Sequence, residues 1–255
     1  MKIIAITNQK GGVGKTTTSL NLAAALAEKK VRVLLVDLDP QGSASSVLVS
    51  KEEGAETPSI YAALIGEKPA SDLISPTRIK NLSIIPSDLD LAGAEVEVAR
   101  MDDHMMRLRA AFDDLREKNA FDYVLLDCPP SLGILMSNAL TAADEILVPI
   151  QCEYYALEGL TQMIEVIRDV MQEKPGRLSF SGIVLTMHDA TLELTAEVEA
   201  EVRDFFGEIV FETVIPRDVA VAEAPSHAQS VIDYAPRSPG ARAYTELCME
   251  VRDCE

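Results

Sequence analysis

The sequence predicts an α/β fold, with a single doubly wound, mostly parallel sheet carrying helices on both faces. Two observations lead there. Short aliphatic runs alternate with longer helical stretches along all 255 residues. Several of the short runs are apolar at every position, as in Val33-Leu34-Leu35-Val36 and Tyr123-Val124-Leu125-Leu126. A strand reads that way when helices bury both its faces. Strand–helix alternation then implies right-handed crossovers within one sheet.

The predicted strands are Lys2–Thr7, Val31–Asp37, Leu82–Pro86, Tyr123–Asp127, Glu145–Pro149, Gly182–Thr186 and Ile209–Ile215. Helical stretches fall at Thr16–Lys29, Asp102–Glu117, Ile134–Ala142, Leu157–Met171, Leu192–Phe206 and Gly240–Val251. The candidate loops Lys51–Ser59, Ser71–Asn81 and Ala235–Pro239 are too short for interdomain linkers. A single domain spanning 1–255 is predicted, a length suited to one large α/β unit.

Composition narrows the function classes. The chain is 47% apolar and 25% charged, so core formation is assured. Its net charge is −18, and residues 151–255 hold 8 basic against 20 acidic side chains. Such a surface repels nucleic acid and anionic membrane and attracts basic partners. No run of 18 uncharged apolar residues and no signal-like leader is evident, so a cytoplasmic protein without a membrane span is expected. Cys128, Cys152, Cys248 and Cys254 have no C-x-x-C spacing and read as reduced thiols. His104, His188 and His227 lack metal-ligand companions and read as surface or capping residues.

The strongest motif is Gln9-Lys10-Gly11-Gly12-Val13-Gly14-Lys15-Thr16, which follows a predicted strand and opens a predicted helix. Glycines let backbone N–H groups converge on phosphate oxygens, and the helix start adds unpaired amides and a positive dipole end. Lys15 is placed to reach the β- and γ-phosphates, and the Thr16 hydroxyl is a hard ligand for Mg²⁺. A second acidic site closes Val33-Leu34-Leu35-Val36-Asp37-Leu38-Asp39-Pro40-Gln41-Gly42, with Asp37 and Asp39 at a strand's carboxyl end, where ligands of parallel sheets bind. Tyr123-Val124-Leu125-Leu126-Asp127-Cys128-Pro129-Pro130-Ser131 has the form of a Walker B strand, with Asp127 holding Mg²⁺ directly or through water. Cys128 within it reads as a buried small hydrophobe.

Gln9 stands where the strict phosphate-loop pattern has its first glycine, and Lys10 adds a lysine before the glycines. In this the chain resembles the ParA/MinD/nitrogenase-iron-protein class of P-loop NTPases, on the ParA side. The resemblance continues through Leu91-Ala92-Gly93-Ala94-Glu95, Gln151-Cys152-Glu153-Tyr154-Tyr155-Ala156-Leu157-Glu158-Gly159-Leu160, Val214-Ile215-Pro216-Arg217 and Glu223-Ala224-Pro225-Ser226-His227. It implies an ATP hydrolase using ATP and Mg²⁺, forming a homodimer when ATP-bound. Lys10 is implied to reach the partner's nucleotide. Asp39 is implied to orient the attacking water, and Asp37 to support the Mg²⁺ region. The catalytic set is then Lys10, Lys15 and Asp39, and the metal set Thr16, Asp37 and Asp127. The nucleotide set is Lys10, Gly11, Gly12, Val13, Gly14, Lys15, Thr16 and Thr17, with Pro216 and Asp218 beside the base.

The acidic end Glu246-Leu247-Cys248-Met249-Glu250-Val251-Arg252-Asp253-Cys254-Glu255 argues against MinD itself, whose membrane hold is a basic amphipathic helix. The resemblance also implies nonspecific DNA binding and a ParB-like stimulatory protein with a basic N-terminal segment. At the places that carry DNA contacts in relatives, Thr191, Ala220, Gln229 and Pro239 replace basic residues, which predicts weakened phosphate contact. Lys174, Arg177, Arg217, Arg237 and Arg242 are the remaining basic candidates. Two functions stay open: a chromosome-partitioning ATPase, associated with the nucleoid if DNA binding is retained, and a switch of the same chemistry that positions a protein cargo or scaffold.

Overall fold

A computed structural model describes residues 1–49, 57–153, 167 and 178–253. Among them is an eight-stranded sheet in the order β3-β4-β2-β5-β1-β6-β7-β8. The strands are β1 Lys2–Ile6, β2 Val33–Asp37, β3 Ser75–Pro76, β4 Leu82–Ile85, β5 Tyr123–Asp127, β6 Glu145–Gln151, β7 Ser179–His188 and β8 Val210–Pro216. All neighbours pair in parallel except β3, which runs antiparallel to β4 at one edge. Pro76 is tolerated there because an edge position asks for no ladder donor.

Alternation of side chains along each central strand divides the core into two layers. Ile3, Ala5, Leu34, Val36, Val124 and Leu126 face one layer, closed by helices that include Leu91–Val98, Ile134–Ala142 and Glu193–Phe206. Ile4, Ile6, Val33, Leu35, Tyr123 and Leu125 face the other, closed by Lys15–Glu28 and Pro239–Asp253. Helices cover both faces, as the unbroken apolar runs predict.

Several local readings change. Asp102–Glu117 is not one helix: residues 102–106 form turns, followed by the short helices Arg107–Ala111 and Asp113–Lys118. The Asn138 side chain explains the late start, donating to His104 O at 2.7 Å and accepting from Leu108 N at 3.1 Å. The fully buried Phe112, at φ −96° and ψ 0°, separates the two helices. The second predicted strand starts at Val33 because Lys30 adopts φ 64° and turns the chain. The segment Ser71–Asn81, read as a loop, contains β3. The helices Ser43–Leu48, Ile60–Leu64 and Leu91–Val98 add to those predicted. The predicted helix Leu157–Met171 lies outside the described residues apart from the buried Ile167.

The β8 edge is closed by side chains. Glu250, on the helix Pro239–Asp253, accepts from Glu212 N and Thr213 N, each at 2.8 Å. Arg203, on Glu193–Phe206, donates to Phe211 O at 3.1 Å and Glu212 O at 3.2 Å. Inside the edge, β7 meets β8 closely at Gly182, where a Cβ would stand 2.5 Å from the Phe211 ring. Gly182→Ala is therefore expected to destabilise the fold by about 1–3 kcal/mol. A urea midpoint unchanged from wild type would show that the ring yields freely.

Candidate active site

Strand register builds the floor of the site. Asp37 of β2 and Ile6 of β1 both align with Asp127 of β5. The two carboxylates thus stand side by side at the carboxyl ends of adjacent strands, next to the strand that launches the glycine loop. Both are fully buried. Burial, and each carboxylate's neighbouring acids, push both groups above the ordinary carboxylate range.

Their hydrogen bonds assign them different work. Asp37 Oδ1 accepts from Asp39 N at 3.1 Å, and Oδ2 accepts from Ser45 N at 2.8 Å and Ser45 Oγ at 2.7 Å. Ser45 Oγ in turn accepts from Ser87 N at 2.9 Å. Asp37 thereby ties β2 to the helix Ser43–Leu48 and to the turn after β4. Asp127 Oδ1 lies 2.9 Å from Ser19 Oγ, whereas its buried Oδ2 has no hydrogen-bond partner. The Thr16 hydroxyl packs against the same carboxylate. A hydroxyl beside an unpaired buried carboxylate oxygen is a hard donor set that fits Mg²⁺, bound directly or through water.

The glycine loop is shaped for an anion. Gly12 and Gly14 adopt φ 78° and 87°, a region that strains any side chain, and nothing lies within 4 Å of a Cβ placed on Gly11 or Gly12. Gly14 begins the helix Lys15–Glu28 without a side-chain cap, leaving the first-turn amides free for an anion. Lys15 is buried and donates to Lys10 O at 3.0 Å. Burial lowers its pKa, opposed by Asp127, Cys128 and Asp39, so the ammonium is the local counter-charge of the acids. Thr186 of β7 donates to Val13 O at 2.9 Å and fixes the far side of the loop.

Asp39 is half-buried at the rim. Its Oδ1 accepts from Gln41 N at 2.9 Å, while its carbonyl accepts from Ser87 Oγ at 2.7 Å. Lys10 is directed elsewhere: its Nζ pairs with Glu153 Oε2 at 2.8 Å, and the two side chains are 38% and 49% exposed. Gln151 holds the other Glu153 oxygen at 2.6 Å.

Pro216 and Asp218 border a hollow of 270 Å³ that Gly14, Thr17, Arg217 and Tyr244 also line. Both Asp218 oxygens are taken, one by Ala220 N at 2.9 Å and the other by Gly240 N at 2.8 Å. Asp218 therefore shapes the wall of this hollow by capping two helices. Cys128 is buried, and desolvation and Asp127 push its thiol far up, which suits an inert packing residue.

The model of the AAA domain family matches residues 1–180. Over 98% of both chains, the sequence is 48% identical to the sporulation initiation inhibitor protein Soj of Bacillus subtilis. The chain belongs to the ParA/Soj family of partitioning ATPases. A second relative, the chromosome partitioning protein ParA of Myxococcus xanthus, is 47% identical over 98% of this chain and 87% of its own length. Among solved structures, a cobyrinic acid a,c-diamide synthase from Mycobacterium smegmatis, with bound ATP analogue and magnesium, superposes at TM-score 0.83 with 35% identity. It covers 98% of this chain and 93% of that one.

The structure brings Gly11 to Thr17, Asp37, Asp39 and Asp127 to one end of the sheet, with Pro216 and Asp218 flanking. It also supplies site residues that motif reading passed over. Ser19 lies one helical turn after Lys15, a signal that spacing could have given. Thr186 and Ser45 act through contacts 173 and 8 residues apart in sequence and carry no motif of their own. Glu153 belongs to the family-like segment Gln151–Leu160, but its pairing with Lys10 across 143 residues has no local trace. His188, read as a surface or capping residue, meets Glu199 at 2.8 Å.

Proposed function

We propose that this protein is the nucleotide-switched ATPase of a DNA-segregation system, binding Mg·ATP and pairing with a second copy of itself when loaded. The direction of Lys10 carries this reading. Lys15 lies along its own phosphate loop, whereas Lys10 reaches outward to an exposed glutamate, where a facing subunit's nucleotide could claim it. Thr16 and Asp127 would hold Mg²⁺, which would supply charge neutralisation at the phosphate oxygens. The loop amides and Lys15 bind and orient the phosphates, Asp39 orients the attacking water, and Asp37 keeps the Asp39 backbone in place. Pro216 and the hollow beside it take the base.

Hydrolysis that needs a lysine in trans is slow in the monomer and fast enough to time a cycle in the dimer. A ParB-like protein with a basic N-terminal segment supplies the stimulus, and nonspecific DNA supplies the surface to ride, with a nucleoid-associated distribution as the result. Of the positions where relatives are basic, Thr191 is exposed but bound to Asp189 at 2.6 Å, and Gln229 is half-buried. The cargo-positioning alternative is not favoured, because the relatives are named for chromosome partitioning. Among the described residues no helix is long and apolar enough to cross a membrane.

Lys10→Ala is expected to bind ATP with near-wild-type affinity yet remain monomeric by light scattering. A stable ATP dimer of that variant would remove the trans role. Binding of the ATP-loaded protein to random-sequence duplex DNA across a salt series tests the segregation reading. Affinity that falls steeply with salt is expected, and no binding at low salt would return the choice to a protein cargo.

A further inference from the structure

The outer face of the helix Glu193–Phe206 plays no part in the nucleotide site. Its inner positions Thr195, Val198 and Val202 are buried. Flanking that buried stripe, about 70° around the helix from it, Leu194, Glu201 and Phe205 lie within about 20° of one line, which runs about 16 Å along the helix. Leu194 is 45% exposed and Phe205 71%. Glu193, Glu197, Asp204 and, beyond the helix end, Glu208 are also exposed, and with Glu201 they make five carboxylates. Among the described residues none of the five enters an ion pair. The helix's own Arg203 is committed to Glu199, at 2.9 Å, and to the edge of β8.

Phe205 is held in place. Its ring stands edge-on to Phe206 with centroids 4.7 Å apart, and Phe206 packs on the core. The face therefore offers a preformed aromatic anchor at one end, a leucine at the other, and uncompensated negative charge between.

We propose that this face is a docking surface for a basic amphipathic segment of a protein partner. Apolar side chains of the segment seat on Leu194 and Phe205 while its lysines or arginines meet the five carboxylates. Charge complementarity selects this occupant. A second copy of the same face, a nucleic acid and an anionic lipid surface all bring like charge to it. The apolar ends fix register and supply most of the affinity, and the carboxylates speed encounter and reject wrong partners. The helix is also tied to the active-site end of β7, where His188 meets Glu199 two residues beyond the Thr186 that holds the phosphate loop. The proposal rests on the reading of a basic stimulatory partner and places that partner on the chain.

The test uses the full chain with Mg·ATP and a fluorescent synthetic peptide, a helical segment with lysine and arginine on one face and leucine on the other. A scrambled peptide of equal composition is the control. Wild type is expected to prefer the amphipathic order. Leu194→Ala with Phe205→Ala should weaken binding about tenfold at unchanged salt slope, and Glu197→Gln with Glu201→Gln should weaken it and flatten the slope. Basal ATP turnover should be unchanged in both. Equal binding of the scrambled peptide overturns the proposal, as does an equal loss from Asp102→Asn with Asp103→Asn on another surface. Nucleotide-independent self-association that Phe205→Ala abolishes would assign the face to a second copy. Peptide that binds here without changing turnover leaves the surface intact and removes the stimulation reading. Stimulation that survives Leu194→Ala with Phe205→Ala removes the surface and leaves the partner.

Discussion

Lys15→Ala is expected to abolish measurable ATP binding at micromolar protein, a loss of about 100-fold or more. The proposed role of this buried ammonium is to follow the phosphates from within the loop, and a charge-assisted hydrogen bond of this kind contributes about 1.5–3 kcal/mol. Each 1.4 kcal/mol is about tenfold in affinity. Its removal also takes away the cation that faces Asp127 and Asp39, so phosphate would enter a site of less compensated negative potential. Calorimetric titration with ATP checks this directly. Tight binding by the variant would mean that the loop amides and Mg²⁺ suffice, and that Lys15 serves only turnover.

Asp39→Ala should behave in the opposite way, with ATP affinity within about threefold of wild type but hydrolysis slower by about 10²–10³-fold. The two effects separate because the Asp39 backbone is held independently of its carboxylate. Asp37 receives its N–H at 3.1 Å, and Ser87 Oγ donates to its carbonyl at 2.7 Å. The loop geometry therefore survives truncation, and only the carboxylate proposed to orient the attacking water is lost. Single-turnover hydrolysis with light scattering would show ATP dimers accumulating. Ordinary turnover in this variant would move the water-orienting role to another residue.

The parts of this protein that were legible in its sequence are those set by local pattern. Apolar runs such as Val33 to Val36 announced strands covered on both faces, and the glycines around Val13 announced an anion cradle. Both depend on chemistry within ten residues. What was not legible depends on distance in the chain. Asp37 and Asp127 looked alike as strand-end acids, yet Ser45 and the Asp39 amide engage both oxygens of one while the other keeps an unpaired oxygen. The helical pattern over Asp102–Glu117 was locally sound and failed because Asn138, from another helix, competes for the backbone of His104 and Leu108. Asp218 read as a neighbour of the base, and its capping bonds to Ala220 and to Gly240, 22 residues on, had no local trace.

The closed rim of β8 has a consequence for how this molecule can join others. A naked rim is a template on which a foreign strand can extend the ladder, in ordered partnership or in fibrils. Here Glu250 and Arg203 stop the unpaired donors and acceptors on the last strand, and the opposite rim is a two-residue strand ending in Pro76. Both rims are poor templates for a further strand. Assembly is left to surfaces made of side chains, and the ATP-dependent pairing proposed above would be undone by cutting one phosphate bond, which a merged sheet would not permit.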